Sequence, residues 1–236
     1  MEKQVSKTIN KIEQFIVEHR TRSVKSIILK KSNSKRRIGQ NGIHYIQMAL
    51  LRTKSLLEGS LLAVRENNPL LSILAIRCHF ETTGAISYFL LRLREHYAGK
   101  ISYEDLDKSL RRLSLGYKII PGKHDYKSNN KNEPISVMNM IDGADKISKS
   151  LDPEFSVFRK FYDELSEYCH PNYLGMNLYS DIEKNRGYNY ANVEKANKEV
   201  NIFLHHLVIS AGMFLFVYDK IYDVLKSNEE LPEIIK

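Results

Sequence analysis

Between Leu70 and Leu91 the chain runs 22 residues with only two formal charges, Arg77 and Glu81, set four apart. A segment that apolar is read as a mostly buried helix, and burying charge costs several kcal/mol unless partners satisfy it. Four residues is about one helical turn, so the two charges share a face and can meet. The order runs against the better Glu-before-Arg arrangement of a surface helix, which leaves two readings: a buried ion pair that fixes register, or a site. Gly84 and Tyr88 continue the same face. A glycine inside a helix costs about 1 kcal/mol against alanine, so Gly84 points to close approach by another helix or a ligand.

The flanking pattern extends this helical reading to the whole chain. Glu2 to His19 places Val5, Ile9, Ile12, Phe15 and Ile16 on one side of a first helix. Ile43 to Arg65 reads as a long second helix preceded by a turn at Asn41-Gly42. Asn67-Asn68-Pro69 breaks it, and Pro69 is placed to open a third helix reaching about His96. Ser102 and Asp105 form a capping pattern for a short helix that Gly116 closes. Residues 117–134 read as an exposed polar loop, followed by a helix around Ser136 to Ser148. Asp152-Pro153 reads as the start of a helix that Pro171 ends at His170. A small hairpin around Asn185-Arg186-Gly187 precedes a last helix, Glu194 to Lys226. The apolar centre of that last helix, Leu207 to Tyr218, reads as a buried core segment and not a membrane span. The expectation is an all-α, single-domain helical bundle of six to seven helices over residues 1–236.

Charge is concentrated in one place. The net charge is +8, and from His19 to Leu57 there are ten Lys and Arg with no Asp or Glu. Residues 19–42 read as a basic connecting segment, densest at Lys30, Lys31, Lys35, Arg36 and Arg37. Such a patch attracts phosphate or an anionic surface by counterion release; the alternative is a solvated loop. Two cysteines, Cys78 and Cys169, make no disulfide framework, and no secretory pattern opens the chain, so a cytoplasmic location is expected.

A second candidate constellation lies before Pro171. Arg159, Asp163, Ser166 and His170 share one side of their helix, beside a stripe of Phe155, Phe158, Tyr162, Leu165 and Cys169 that reads as core. A histidine at a helix C-terminus is favoured in its protonated form by the dipole and can act as an acid; alternatively it caps loose carbonyls. Ser166, Asn172 and Tyr173 are close enough in sequence to line a pocket with it. Cys78-His79 and Cys169-His170 would supply zinc-type ligands, but neighbours on a helix point about 100° apart, so no metal is expected. His205-His206 meets the same objection and reads as core. Ser166, His170 and Glu81 would make a hydrolase triad, without the Gly-x-Ser-x-Gly elbow that usually presents such a serine.

The stretches Arg77-Cys78-His79-Phe80-Glu81 and Tyr162-Asp163-Glu164-Leu165-Ser166-Glu167-Tyr168-Cys169-His170-Pro171-Asn172 resemble a bacterial all-helical family. That family carries an Arg-x-x-x-Glu helix and a Tyr-x-x-Leu-Ser-x-x-x-His-Pro helix. It is related to the HEPN superfamily of nucleotide-binding and RNA-cleaving domains. The resemblance implies a HEPN-like bundle, a homodimer, and RNA cleavage without metal or cofactor. HEPN ribonucleases place an Arg four to six residues before the His. At His170 that Arg is missing, and Arg77 would have to supply the guanidinium from another helix. Arg37 precedes His44 at a permitted spacing.

The implied chemistry assigns Arg77 to the charge on the transition state and His170 to proton transfer. Glu81 would orient Arg77, Ser166 or Asn172 would hold a phosphate oxygen, and Lys30 to Arg37 would hold the strand. The leading expectation is therefore a HEPN-like protein that binds RNA and is a candidate metal-independent endoribonuclease in a bacterial defence or toxin setting. A non-catalytic helical module binding nucleic acid or a protein partner is the main alternative, and a hydrolase built on Ser166 and His170 is the third. Neither a cofactor nor a membrane partner is expected.

Overall fold

The computed structural model describes residues 2–30, 37–116, 133–183, 187–190 and 192–236. The long apolar stretch forms α3 (Pro69–Tyr97), opened by Pro69 and by the Asn68 side chain, which accepts a hydrogen bond from the Leu71 amide at 3.1 Å. Around it lie α1 (Glu2–Arg22), α2 (Ile38–Arg65), α4 (Tyr103–Leu115), α5 (Val137–Leu151), α6 (Phe158–Cys169), the four-residue α7 (Tyr173–Met176) and α8 (Val193–Asn228). Helix α3 packs against α2, α4, α5, α6 and α8, so it is the axis of the bundle. Its Ile73, Ile76, Phe80, Ile86, Phe89, Leu90 and Leu93 are buried in one hydrophobic cluster that also takes in residues of all these neighbours and of α1.

The all-α class expected from the sequence is what forms, with eight helices among the described residues and α7 the one not anticipated. The Ser102–Asp105 capping box opens α4, and Gly116 follows its end. A hairpin of β2 (Asp181–Glu183) and β3 (Gly187–Asn189) stands where one was expected; Asn185 and Arg186 lie outside the described residues. Of the expected 117–134 loop, only Glu133 and Pro134 are described, and both are exposed.

Three boundaries differ from the sequence reading, each for a tertiary reason. Asn41-Gly42 is not a turn but lies inside α2. A Cβ at Gly42 would come within 2.8 Å of Leu225 Cδ1, and one at Gly39 within 2.6 Å of Glu229 Cβ, so these glycines let the C-terminal end of α8 approach. Helix α6 begins at Phe158 and not at Asp152-Pro153. The Asp152 carboxylate accepts from the Glu154 amide in a turn, while Asp145 of α5 accepts from the Phe158 and Arg159 amides at 3.0 and 2.9 Å. The 19–42 segment is also more than a connector. His19 ends buried in α1, and β1 (Ser26–Ile28) pairs antiparallel with β4 (Glu233–Ile235) near the C-terminus.

Gly84 does mark a close approach, by a helix. A Cβ there would lie 2.9 Å from the Met140 carbonyl, and across the same crossing one at Gly143 would lie 3.2 Å from Tyr88 Cα. Helix α8 is long and apolar enough by composition to cross a membrane, and 56% of its apolar window is buried inside the bundle.

Candidate functional site

Arg77 and Glu81 meet, and α6 completes their surroundings. The Arg77 Nε donates to Ser166 Oγ at 3.2 Å, and one Nη donates to the Tyr162 hydroxyl at 2.8 Å and stands 3.4 Å from Glu81 Oε1. The Tyr162 hydroxyl in turn donates to Glu81 Oε1 at 3.1 Å. The guanidinium also lies over the Tyr162 ring, 5.2 Å from its centroid, in reach of a cation–π contact. About a quarter of each charged side chain is exposed, 25% for Arg77 and 24% for Glu81. The second Nη of Arg77 has no protein partner among the described residues.

This closed arrangement sets the ionisation of its members. Burial works against the Arg77 charge, but Glu81 and Tyr162 outweigh it and hold the guanidinium pKa above its ordinary value. Burial and the Glu81 charge push the Tyr162 phenol up, Arg77 opposing, so Tyr162 stays a neutral donor. The two thiols sit beside the same charges. Burial raises Cys169 to about 11 despite the pull of Arg77, and raises Cys78 as well. Neither is a thiolate near neutral pH, and both lack the activation that nucleophilic or metal-binding cysteines need. Among the described residues no group of three or more His, Cys, Asp or Glu is placed to hold a metal.

Tyr162 is the member that the sequence reading placed in the core stripe. Its ring is buried, but its hydroxyl joins Arg77 to Glu81. The available signal was its position one turn before Ser166 on the same helix.

His170 does not join the cluster. It is the C-cap of α6, extended at φ −88° and ψ 150° as the following proline requires, and it is exposed. Among the described residues no hydrogen bond links its ring to Arg77, Glu81 or Ser166. Asn172 is used structurally. Its side chain caps α7 by accepting from the Gly175 amide at 3.1 Å and donates to Glu167 at 2.6 Å. A Cβ at Gly175 would overlap the His170 carbonyl oxygen, so α7 folds back tightly on the helix end.

The basic residues stand elsewhere. Lys31, Lys35 and Arg36 lie outside the described residues; Lys30 and Arg37, on either side of that stretch, are exposed. The Arg37 and Ile38 amides donate to the Tyr103 hydroxyl, and the Tyr103 ring packs on His96 near the end of α3. From Arg77 to His96, α3 rises roughly 30 Å at ~1.5 Å per residue, so the charge patch and the polar cluster occupy different parts of the bundle. Arg20, Arg22 and Lys54 of the acid-free stretch are paired with Glu58, Asp219 and Glu18. Lys25, Lys30 and Arg37 are exposed and have no ion pair among the described residues.

No protein-family model, characterised protein sequence or solved structure matches this chain.

Proposed function

We propose that this protein is a helical module that binds RNA electrostatically at the end of the bundle where Lys25, Lys30 and Arg37 stand, and that its Arg77 cluster is structural. The observation that carries the reading is the distribution of unpaired positive charge. Of the described cations in the acid-free stretch, Arg20, Arg22 and Lys54 are paired with carboxylates and Arg52 is bonded to the Thr82 hydroxyl, whereas Lys25, and Lys30 and Arg37 on either side of residues 31–36, are exposed without an ion pair. Lys31, Lys35 and Arg36 add three charges in sequence between them. A polyanion neutralises such a group by releasing condensed counterions, with no need to read bases. The HEPN resemblance of the two helical stretches favours RNA as the polyanion and a homodimer as the working form.

The ribonuclease reading rests on one observation, the unpartnered Nη of the partly exposed Arg77. Against it, a general acid or base must come within about 3 Å of the reacting group or act through one water, and among the described residues no hydrogen bond ties His170 to Arg77. A hydrolase built on Ser166 meets the same objection, because its oxygen accepts from Arg77 Nε and, among the described residues, is hydrogen-bonded to no histidine.

Labelled single-stranded RNA incubated in EDTA with wild-type protein and with His170→Ala separates these readings. A binding module retains RNA in a salt-sensitive complex and leaves it intact with both proteins. Metal-independent cleavage by the wild type, lost in His170→Ala, would overturn the non-catalytic reading.

A further inference from the structure

An open cleft shares Glu81 with the Arg77 cluster but is otherwise lined by different residues, and its chemistry is different. Its volume is about 280 Å³, and it lies where α2, α3, the end of α4 and the segment entering α5 converge. Met48, Leu113, Ile135 and Met140 give it an apolar lining. Two arginines border it. Arg112 donates to the backbone carbonyls of Glu133 at 2.8 Å and Pro134 at 3.3 Å, which fixes its head without neutralising it. Arg52 donates from Nε to the Thr82 hydroxyl at 3.1 Å, and that hydroxyl donates to the Cys78 carbonyl. Neither arginine has a carboxylate partner among the described residues. Glu81 also lines the cleft, but its charge is met by Arg77.

A second observation points to a ligand independently of the arginines. Tyr45 lines the cleft, is only 7% exposed, and its ring packs edge-on against Phe89 at 5.7 Å. Its hydroxyl has no hydrogen-bond partner among the described residues, and burial pushes its pKa well up, so it remains a neutral donor. The Tyr45 ring is buried while its hydroxyl is left free to donate to an acceptor bound in the cleft. Small-molecule sites combine an apolar lining with a few fixed polar groups, and this cleft lies at the lower edge of their usual ~300–1,000 Å³.

From these features we infer that the cleft binds a small aromatic or branched apolar acid. The anionic group is held by Arg52 and Arg112, the body lies against the apolar lining, and an oxygen accepts from Tyr45. A carboxylate and a phosphate monoester share this chemistry.

Calorimetric titration of the full chain with phenylacetate, phenyl phosphate and neutral phenylacetamide tests the inference. Saturable binding of either acid supports it, and which acid binds identifies the anion. The amide is expected to bind roughly tenfold or more weakly, because it forfeits the charge-assisted bonds. Arg52→Gln, at an exposed residue whose loss threatens no core packing, is expected to weaken the acid by roughly tenfold, as is Arg112→Gln. Failure of the folded wild type to bind either acid at millimolar concentration would overturn the inference. So would equal affinity for the amide, or unchanged affinity in both arginine variants.

Discussion

Arg77 illustrates how a charge is tolerated in a helix that is otherwise apolar. Its Nε and one Nη are occupied by Ser166, Tyr162 and Glu81, and removing one member leaves the others with less compensation. Tyr162→Phe deletes both the bond from Arg77 and the bond to Glu81 while keeping the ring. It is expected to cost about 1–2 kcal/mol in urea unfolding, held at that level because water reaches the charged pair. Ser166→Ala removes one bond and is expected to cost about 0.5–1 kcal/mol. The ion pair was legible from spacing alone, because four residues on a helix admit few other arrangements. Tyr162 was not, because a phenol within an apolar stripe looks like core until its hydroxyl is located. His170 shows the converse: its helix-end position was legible, but among the described residues its nearness in sequence to Ser166 comes with no hydrogen bond to the cluster.

Three other histidines make the fold acid-sensitive. His19 and His79 are fully buried against Phe214, and His206 is stacked on Phe161 at 3.6 Å. Each leaves one ring nitrogen buried without a partner. Burial lowers His19 and His206 to about 4 and His79 to about 3, against an unfolded value of 6.5. With folded pKa values depressed, the unfolded chain binds more protons below pH 6.5. Stability is therefore full above that value and falls as the pH drops toward 4. The loss is on the order of 1.4 kcal/mol per pH unit for each histidine. Urea midpoints measured across this range should fall steeply with acid, and less steeply in His19→Gln.

Among the helices, the contacts that fix geometry come from outside each element. Asp145 caps α6 across the α5–α6 junction, and Asp145→Ala is expected to cost about 1–2 kcal/mol in thermal or urea unfolding by leaving two amides uncapped. The crossing of α3 and α5 depends on Gly84 and Gly143. Gly84→Ala would place a methyl 2.9 Å from the Met140 backbone, and overpacking of this kind costs about 1–3 kcal/mol despite alanine's better helix propensity. Both substitutions show why the sequence located helices better than their ends. The start of α3 was legible because Asn68 and Pro69 cap it locally. The starts of α2 and α6 were not, because α8 accounts for the glycines of α2, and Asp145, thirteen residues before Phe158, caps α6.

At the scale of the molecule, helical periodicity and the scarcity of glycine and proline made the all-α class legible. The arrangement around α3 was not, since no local pattern says which apolar faces meet. The same limit applies to function: the basic segment was plain in the sequence, but its separation from Arg77 by roughly 30 Å of helix was not. That separation makes the two features independently testable. Fluorescence anisotropy of labelled single-stranded RNA would compare the wild type, Arg77→Met, and a variant with Lys30, Lys31, Lys35, Arg36 and Arg37 all changed to Ser. The account predicts near-wild-type affinity for folded Arg77→Met. It predicts loss of binding in the basic-segment variant, and a wild-type salt slope of about −0.7 for each phosphate contact. Binding that survives removal of the five basic residues and is lost with Arg77 would contradict it.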